Sequence, residues 1–449
     1  MTVGHNPRMI ATDSEIYWLR EVSETGQMLP QAGGDAGATG PSREGTLPFD
    51  PTTHTDIAII GAGYTGLSAA RTLARGGRDV LVLEHDTAGA GASTRNGGFI
   101  LPGYKRELPG LVRRLGFTRA LELFEESLRA MAFVESLIAE EHIECEYRRA
   151  GHVTVAESRR QVEELERAAE LLERRCRYPT TMLGADAIGG EVGSARYVGG
   201  VLDPRAASVQ PALLFEGLLR TALAAGVTLA EHARVDTIRR GPSGFTIETS
   251  RGTLTAGDVL VATNGYLPPD AELRRRVIPV GSHIIATEPL DRELQRRIIP
   301  HCRLLSDCRH LLHYYRLTGD GRLLFGGRAA FSPIGTPAAA ALLRRDMVAV
   351  FPQLGETRLE YAWSGTLGVA RDQMPHAGRL DGVGYACCYG GHGVAMSLYL
   401  GHRMGEYLAG GDPPPITGLD FPRIPLYNGR PWFLPLAGAW FRLRDLLDR

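Results

Sequence analysis

Residues 55–86 read TDIAIIGAGYTGLSAARTLARGGRDVLVLEHD, and the way this stretch folds settles the architecture. Ile57 to Ile60 form an apolar run suited to a buried strand, a glycine turn follows, Thr65 to Arg75 carry helical spacing, and Val80 to Leu83 read as a second strand. Together they make one βαβ unit. The motif Gly61, Ala62, Gly63, Tyr64, Thr65, Gly66 therefore sits where a strand hands over to a helix, the context that turns a weak glycine pattern into a usable one. Gly61 permits the tight turn, Gly63 lets backbone approach a pyrophosphate, and Gly66 lets the helix pack on the strand. The helix N-terminus adds unpaired N–H groups and the positive end of its dipole. Glu84, followed by His85, ends the second strand; an acid there accepts hydrogen bonds from both ribose hydroxyls and disfavours a 2′-phosphate. A dinucleotide of the FAD or NAD type is expected.

Outward from this unit, 449 residues at 43% hydrophobic content suggest two or three domains of about 150 residues each. A net charge of −1 leaves no electrostatic footprint for nucleic acid or an acidic membrane surface, which makes a small molecule the expected partner. Six cysteines, Cys145, Cys176, Cys302, Cys308, Cys387 and Cys388, show no CxxC and no metal-ligand spacing, so no metal site is expected. The N-terminal twenty residues lack an apolar signal core, and no run approaches the roughly 18 apolar residues of a membrane span. A cytoplasmic location without a membrane partner follows as the expectation. Of 50 Lys plus Arg, the one lysine is Lys105.

Residues 1–54 read as an N-terminal arm and linker, with 24–54 rich in Gly, Pro, Ser and Thr. Helical spacing runs from Leu108 to Glu141, from Arg159 to Arg175 and from Pro211 to Ala225, with strand-like alternation in CEYRRAGHVTVAES between the first two. Residues 277–331 are strand-rich, and the tail holds a strand at Tyr385 to Tyr389 and a helix at Val394 to Leu408. No internal repeat is visible. The order predicts an α/β (α+β) chain: a Rossmann-like nucleotide domain from 55–105, 200–270 and 362–449, interleaved with a substrate domain from 106–199 and 271–361.

A second glycine run, GAGASTRNGGF at 89–99, lacks a preceding strand and a following helix, so it is not a second phosphate cradle. Here the chain resembles the D-amino acid oxidase superfamily of FAD-dependent oxidoreductases, in the branch resembling gamma-glutamylputrescine oxidase. GAGYTGLSAA with Glu84, GASTRNGG, VATNGYLP at 261–268, VGSHIIATEPL at 280–290 and GGHGVAMS at 390–397 carry the resemblance. It implies an FAD domain and a substrate domain on a mostly antiparallel sheet, with the flavin between them. By that match Gly91 and Ala92, then Ser93, Thr94, Arg95, Asn96, Gly97 and Gly98, line the flavin and its ribityl chain, and Val235 brackets the adenine. Thr263, Asn264 and Gly265 close over the pyrophosphate side. Gly391, His392, Gly393, Val394, Ala395 and Met396 meet the pyrimidine edge, where the helix that follows can stabilise negative charge on the reduced ring.

The departures from the family pattern are informative. Asn96 stands near the position of a flavin-linking histidine, and WSGTLGVARDQMPHAG at 363–378 has no cysteine, so FAD is expected to be non-covalent. Ala395 replaces the lysine that holds a substrate carboxylate in sarcosine-oxidase-like members, which disfavours a simple amino acid, although Arg95, Arg328 or Arg371 could bind one. Lys105 is either a cation for oxygen activation or a surface residue; His392 is a catalytic group or a turn residue. His283, His310 and His313 are catalytic or packing histidines, with His283 counted among the catalytic candidates. Tyr314, Tyr315 and Trp363 are either an aromatic wall for an amine or ordinary core. The resemblance implies an enzyme that oxidises the C–N bond of a primary or secondary amine by hydride transfer to flavin N5. The imine then hydrolyses, and O2 as acceptor gives H2O2. Alternatives are a glycine, sarcosine or D-amino acid oxidase, a flavin monooxygenase, or an FAD-carrying electron-transfer subunit. Sequence leaves the oligomeric state open.

Overall fold

The computed structural model describes residues 16–24, 49, 52–266, 268–327 and 335–447. The quoted stretch folds as strand His54–Ile60, helix Tyr64–Arg75 and strand Val80–Leu83. The two strands pair in parallel, Ile57 opposite Val80 and Ile60 opposite Leu83. Because they lie inside a sheet covered on both faces, their residues are apolar almost without alternation; Ala58, Ile59, Val80 and Val82 are fully buried. The sheet runs His376–Leu380, Val383–Cys387, Gly252–Val261, His54–Ile60, Val80–Leu83, Thr228–Ala230, and the hairpin Val235–Gly241 with Gly244–Thr249 branches from Gly252–Val261. Helices Tyr64–Arg75, Pro211–Ala224 and Gly393–Leu408 share one apolar core against it.

A second sheet of eight strands runs Leu359–Val369, Ile278–Thr287, Leu323–Gly327, His313–Leu317, Leu304–Asp307, His152–Ala156, Gly199–Asp203, Thr181–Leu183. All neighbours pair antiparallel except Leu304–Asp307 with His152–Ala156. Two expected domain limits fall inside its strands: 199/200 lies in Gly199–Asp203 and 361/362 lies in Leu359–Val369. A continuous strand crosses each point, so neither expected limit coincides with a break between elements. The expected helix from Leu108 to Glu141 is two helices, Leu108–Leu115 and Phe117–Glu140, separated by Gly116 at φ 79, a left-handed turn that glycine adopts without strain.

The N-terminal arm also needs correction. Residues Tyr17–Glu24 form a helix, and Trp18 is fully buried in the core of the first unit. Its indole N–H donates to Asn96 O at 2.9 Å, Gln210 donates to Trp18 O at 3.1 Å, and the Arg316 guanidinium lies 5.1 Å over the ring. Eight residues span little more than two helical turns, too short a period to read. Most of 24–54 lies outside the described residues.

Candidate active site

A cavity of about 1630 Å³ runs from the Gly61–Thr65 turn, between the two sheets, to the helices at the substrate side. Ordinary small-ligand pockets hold about 300–1,000 Å³, so this one has room for a dinucleotide and a second molecule. At the turn, Gly61 has φ 104, and a Cβ on Gly66 would sit 1.9 Å from Gly61 O. Ala62 N–H donates to Glu84 Oε2 at 2.8 Å and Asp86 N–H to Oε1 at 3.0 Å, which fixes the carboxylate where the second strand ends. Tyr64 N–H donates to Ser93 Oγ at 2.9 Å, tying the phosphate turn to the second glycine run. His85, Val235 and the neighbouring Ala233 and Arg234 line the far arm. A bare backbone turn, a helix N-terminus and an oriented acid fit a dinucleotide with free ribose hydroxyls.

The second glycine run lines the middle of the cavity through Gly91, Ala92, Ser93, Arg95, Asn96 and Gly97, opposite Thr263, Asn264, Gly391, His392, Gly393 and Val394. Asn96 holds its own loop: its amide donates to Ala92 O and Ser93 O, at 3.2 and 2.8 Å, and accepts from Gly98 N at 2.8 Å. Asn264 Oδ1 accepts from Cys388 N at 3.0 Å, locking the two walls together. Gly66, Thr94, Gly98, Gly265, Ala395 and Met396 stand behind the lining. Thr94 donates to Gly89 O at 2.6 Å, Gly98 packs on Val209 O, Gly265 packs on Leu367, and Ala395 and Met396 are buried on the core side of their helix.

On the substrate side the expected aromatic wall is differently composed. Tyr314 lines the cavity, edge-on to Phe99 at 5.6 Å, and Phe99 is edge-on to His152 at 6.3 Å. Tyr315 points to the other face of the sheet, where its hydroxyl donates to Tyr197 at 2.7 Å. Trp363 is buried behind the second glycine run and donates to Arg95 O at 3.0 Å. His283 is displaced by the same parity: Ser282 and Ile284 line the cavity, so His283 faces away with Ile285, on the side covered by helix Thr336–Val350. Burial holds its imidazole below the usual value. Arg95 lines the cavity with its guanidinium positioned by Ala90 O at 2.8 Å and Ser364 O at 3.1 Å, bonds that engage two of its five N–H donors. Arg371 is exposed outside the cavity, and Arg328 lies outside the described residues.

Lys105 lines the cavity, its stem running beside Gly390 in the turn that precedes helix Gly393–Leu408. His310 stands at the rim with Phe441. The residues that sequence reasoning missed are Phe99, His152, Thr154 and Ser306. His152 and Thr154 alternate on one face of a strand, a legible signal. His152 Nε2 pairs with Ser306 Oγ at 2.8 Å, and burial pushes its pKa down to about 4, so the ring is neutral at physiological pH. Exposed Arg113 and Arg167 line the outer rim, near Glu107 and Glu164.

The rim segment Ser306–His310 is braced from behind. His313 Nδ1 meets Asp307 at 3.0 Å and Nε2 meets Asp346 at 3.3 Å. Burial alone would lower the imidazole, but the two carboxylates raise it to about 10. A raised value means that this stabilisation is complete below the unfolded value near 6.5 and is lost as pH climbs through about 10. Denaturation midpoints should fall across that window, and His313→Gln should flatten the decline; equal slopes in the two proteins would refute the brace.

Fold and cavity together define a two-sheet enzyme with a dinucleotide cradle at one end of a single long cavity. The chain belongs to the FAD dependent oxidoreductase (DAO) family, whose profile matches residues 56–407. It is 34% identical over 409 residues to gamma-glutamylputrescine oxidoreductase of Escherichia coli (strain K12), covering 89% of this chain and 96% of that protein. Probable oxidoreductase OrdL of Haemophilus influenzae is 31% identical over 401 residues, at 87% and 91% coverage. Glycine oxidase from Geobacillus kaustophilus superposes with a TM-score of 0.68 at 20% identity, over 84% of this chain and 99% of that one. L-proline dehydrogenase from P. horikoshii gives 0.64 at 18% identity, over 81% and 95%. The FAD cofactor and the mixed α/β fold expected from sequence are those of this family. No helix among the described residues is long and apolar enough to cross a membrane.

Proposed function

We propose that this enzyme oxidises the C–N bond of an extended primary or secondary amine whose far end carries a carboxylate. One observation carries the reading: the inner wall offers a neutral His152 and aromatic edges, Arg95 is held by backbone, and arginines reappear at the rim as Arg113 and Arg167. An amine with its carboxylate on the adjacent carbon would need a cation at the inner wall. A long amine places its apolar stem along Phe99, Tyr314 and Leu101 and its carboxylate at the rim, where bidentate guanidinium pairing is available. The named substrate of the Escherichia coli relative is of this kind.

FAD, held by the Gly61–Gly66 turn, Glu84 and the second glycine run, supplies the two-electron oxidant when bound. The chain's own part is to bind the amine in its neutral form. The enclosed aromatic wall lowers the ammonium pKa by desolvation, and the His152–Ser306 pair accepts a hydrogen bond from the nitrogen without adding charge. Phe99, Tyr314 and Leu101 keep water from the inner chamber. We further propose a non-covalent flavin, since Asn96 is engaged in its loop and burial raises the cavity-lining Cys308 thiol, and O2 as the acceptor.

The test is anaerobic bleaching of the purified yellow protein with γ-glutamyl diamines, free diamines, glycine and sarcosine, then peroxide assay in air. Carboxylate-tailed amines should bleach fastest. Arg113→Ala with Arg167→Ala should raise KM for them about tenfold or more with kcat little changed. Preference for glycine or sarcosine would overturn the substrate reading. Flavin left in an acid-precipitated pellet would overturn the non-covalent one, and absence of peroxide the acceptor.

A further inference from the structure

The C-terminal helix Leu434–Leu447 has two faces with different surroundings. One is fastened to the cavity rim: Asp445 accepts from His310 N at 2.8 Å and Leu311 N at 3.1 Å, and the Phe441 ring lies 5.5 Å from that of His310. The other is apolar and open to solvent. Leu436 is 69% exposed, Trp440 57% and Leu443 49%, spaced four and three residues apart, with Trp432 at 61% and Leu426 at 90% leading into the helix. Among the described residues, seven large hydrophobic side chains are exposed, and these five fall within the single segment 426–443. A concentration of this kind marks an interaction surface.

Charge says what the surface meets. Residues 424–444 contain Arg430, Arg442 and Arg444 and no Asp or Glu, while Arg423 just before them pairs with Glu272 and Asp445 just after them is engaged by the rim backbone, in a chain whose net charge is −1. Tryptophan and leucine on one exposed face with flanking arginine is the composition of a helix that lies in the headgroup region of an anionic bilayer. We propose that the segment Leu426–Leu443 seats the protein on an anionic phospholipid surface, with the rim of the active-site cavity beside the membrane. The expectation of no membrane partner rested on the lack of a spanning segment and on net charge summed over the whole chain, and a surface-lying helix escapes both.

The experiment is flotation of the flavin-loaded protein with phosphatidylglycerol–phosphatidylcholine vesicles, and with phosphatidylcholine alone, at low and high salt. Trp18 and Trp363 are buried, so a blue shift of tryptophan emission on vesicle addition reports Trp432 and Trp440. The protein should float with anionic vesicles, less so as salt screens the arginines. The exposed-face variant Leu436→Glu with Trp440→Glu should lose at least about tenfold in partition while retaining its flavin absorbance. Failure to float with anionic vesicles overturns the proposal. So does a concentration-dependent dimer, seen by light scattering, that the same variant abolishes, because a second copy would then cover the face.

Discussion

Gly66→Val should emerge from purification nearly colourless, with affinity for added FAD reduced by about 100-fold or more. The neighbour that a new Cβ would meet, at 1.9 Å, is the backbone oxygen of Gly61. A backbone atom cannot rotate away, and Gly61 is itself fixed at φ 104 by the turn. Relief requires the helix Tyr64–Arg75 to move off the strand, which withdraws the helix N-terminus from the phosphate position. Overpacking of well-filled sites costs about 1–3 kcal/mol, sometimes more; about 3 kcal/mol corresponds to roughly 100-fold. Gly63→Ala is the internal comparison, since its Cβ would meet the Ser93 hydroxyl at 2.9 Å and a hydroxyl can turn aside. The ratio of flavin to protein absorbance and a fluorescence titration with FAD measure both. A Gly66→Val protein that keeps a full complement of flavin would show that this turn does not hold the phosphates.

Trp18→Ala should destabilise the protein by about 3–5 kcal/mol, the usual range for truncating a large buried aromatic side chain, and should release flavin at lower denaturant. Trp18 lies behind the second glycine run rather than in the cavity, so its effect on the cofactor passes through the bond to Asn96 O. Trp18→Phe keeps most of the packing and loses only the donor, about 1 kcal/mol. Comparing the two variants by urea denaturation, read at the flavin absorbance and by circular dichroism, separates packing from loop positioning. A protein lacking residues 1–24 that matches the full chain in both readouts would remove the helix from any part in the site.

These two positions show where sequence reading succeeds and where it stops. Gly66 was legible because strand, turn, helix and acid fall at fixed intervals inside 30-odd residues, so local chemistry sets the geometry. Trp18 was not, because its partners Asn96, Gln210 and Arg316 are scattered through the chain. The substrate chamber lies between these extremes. Alternation on strand Ile278–Thr287 correctly groups His283 with Ile285, but only the packed sheet tells which face is the cavity. Tyr314 and Tyr315 differ by one residue and by the full thickness of a sheet, and nothing local distinguishes them. The rim arginines come from two helices whose sequences read as ordinary solvated surface.

The single lysine gives the protein a chemical handle. Amine-reactive reagents ordinarily scatter over a dozen or more lysines; here the chain offers them Lys105 and the α-amino terminus. Lys105 lies within the cavity, alongside Gly390. Reductive methylation or acylation, counted by intact mass, therefore becomes a readout of cavity occupancy. The second mass increment should slow when the cavity is filled, reporting ligand entry without any need for turnover.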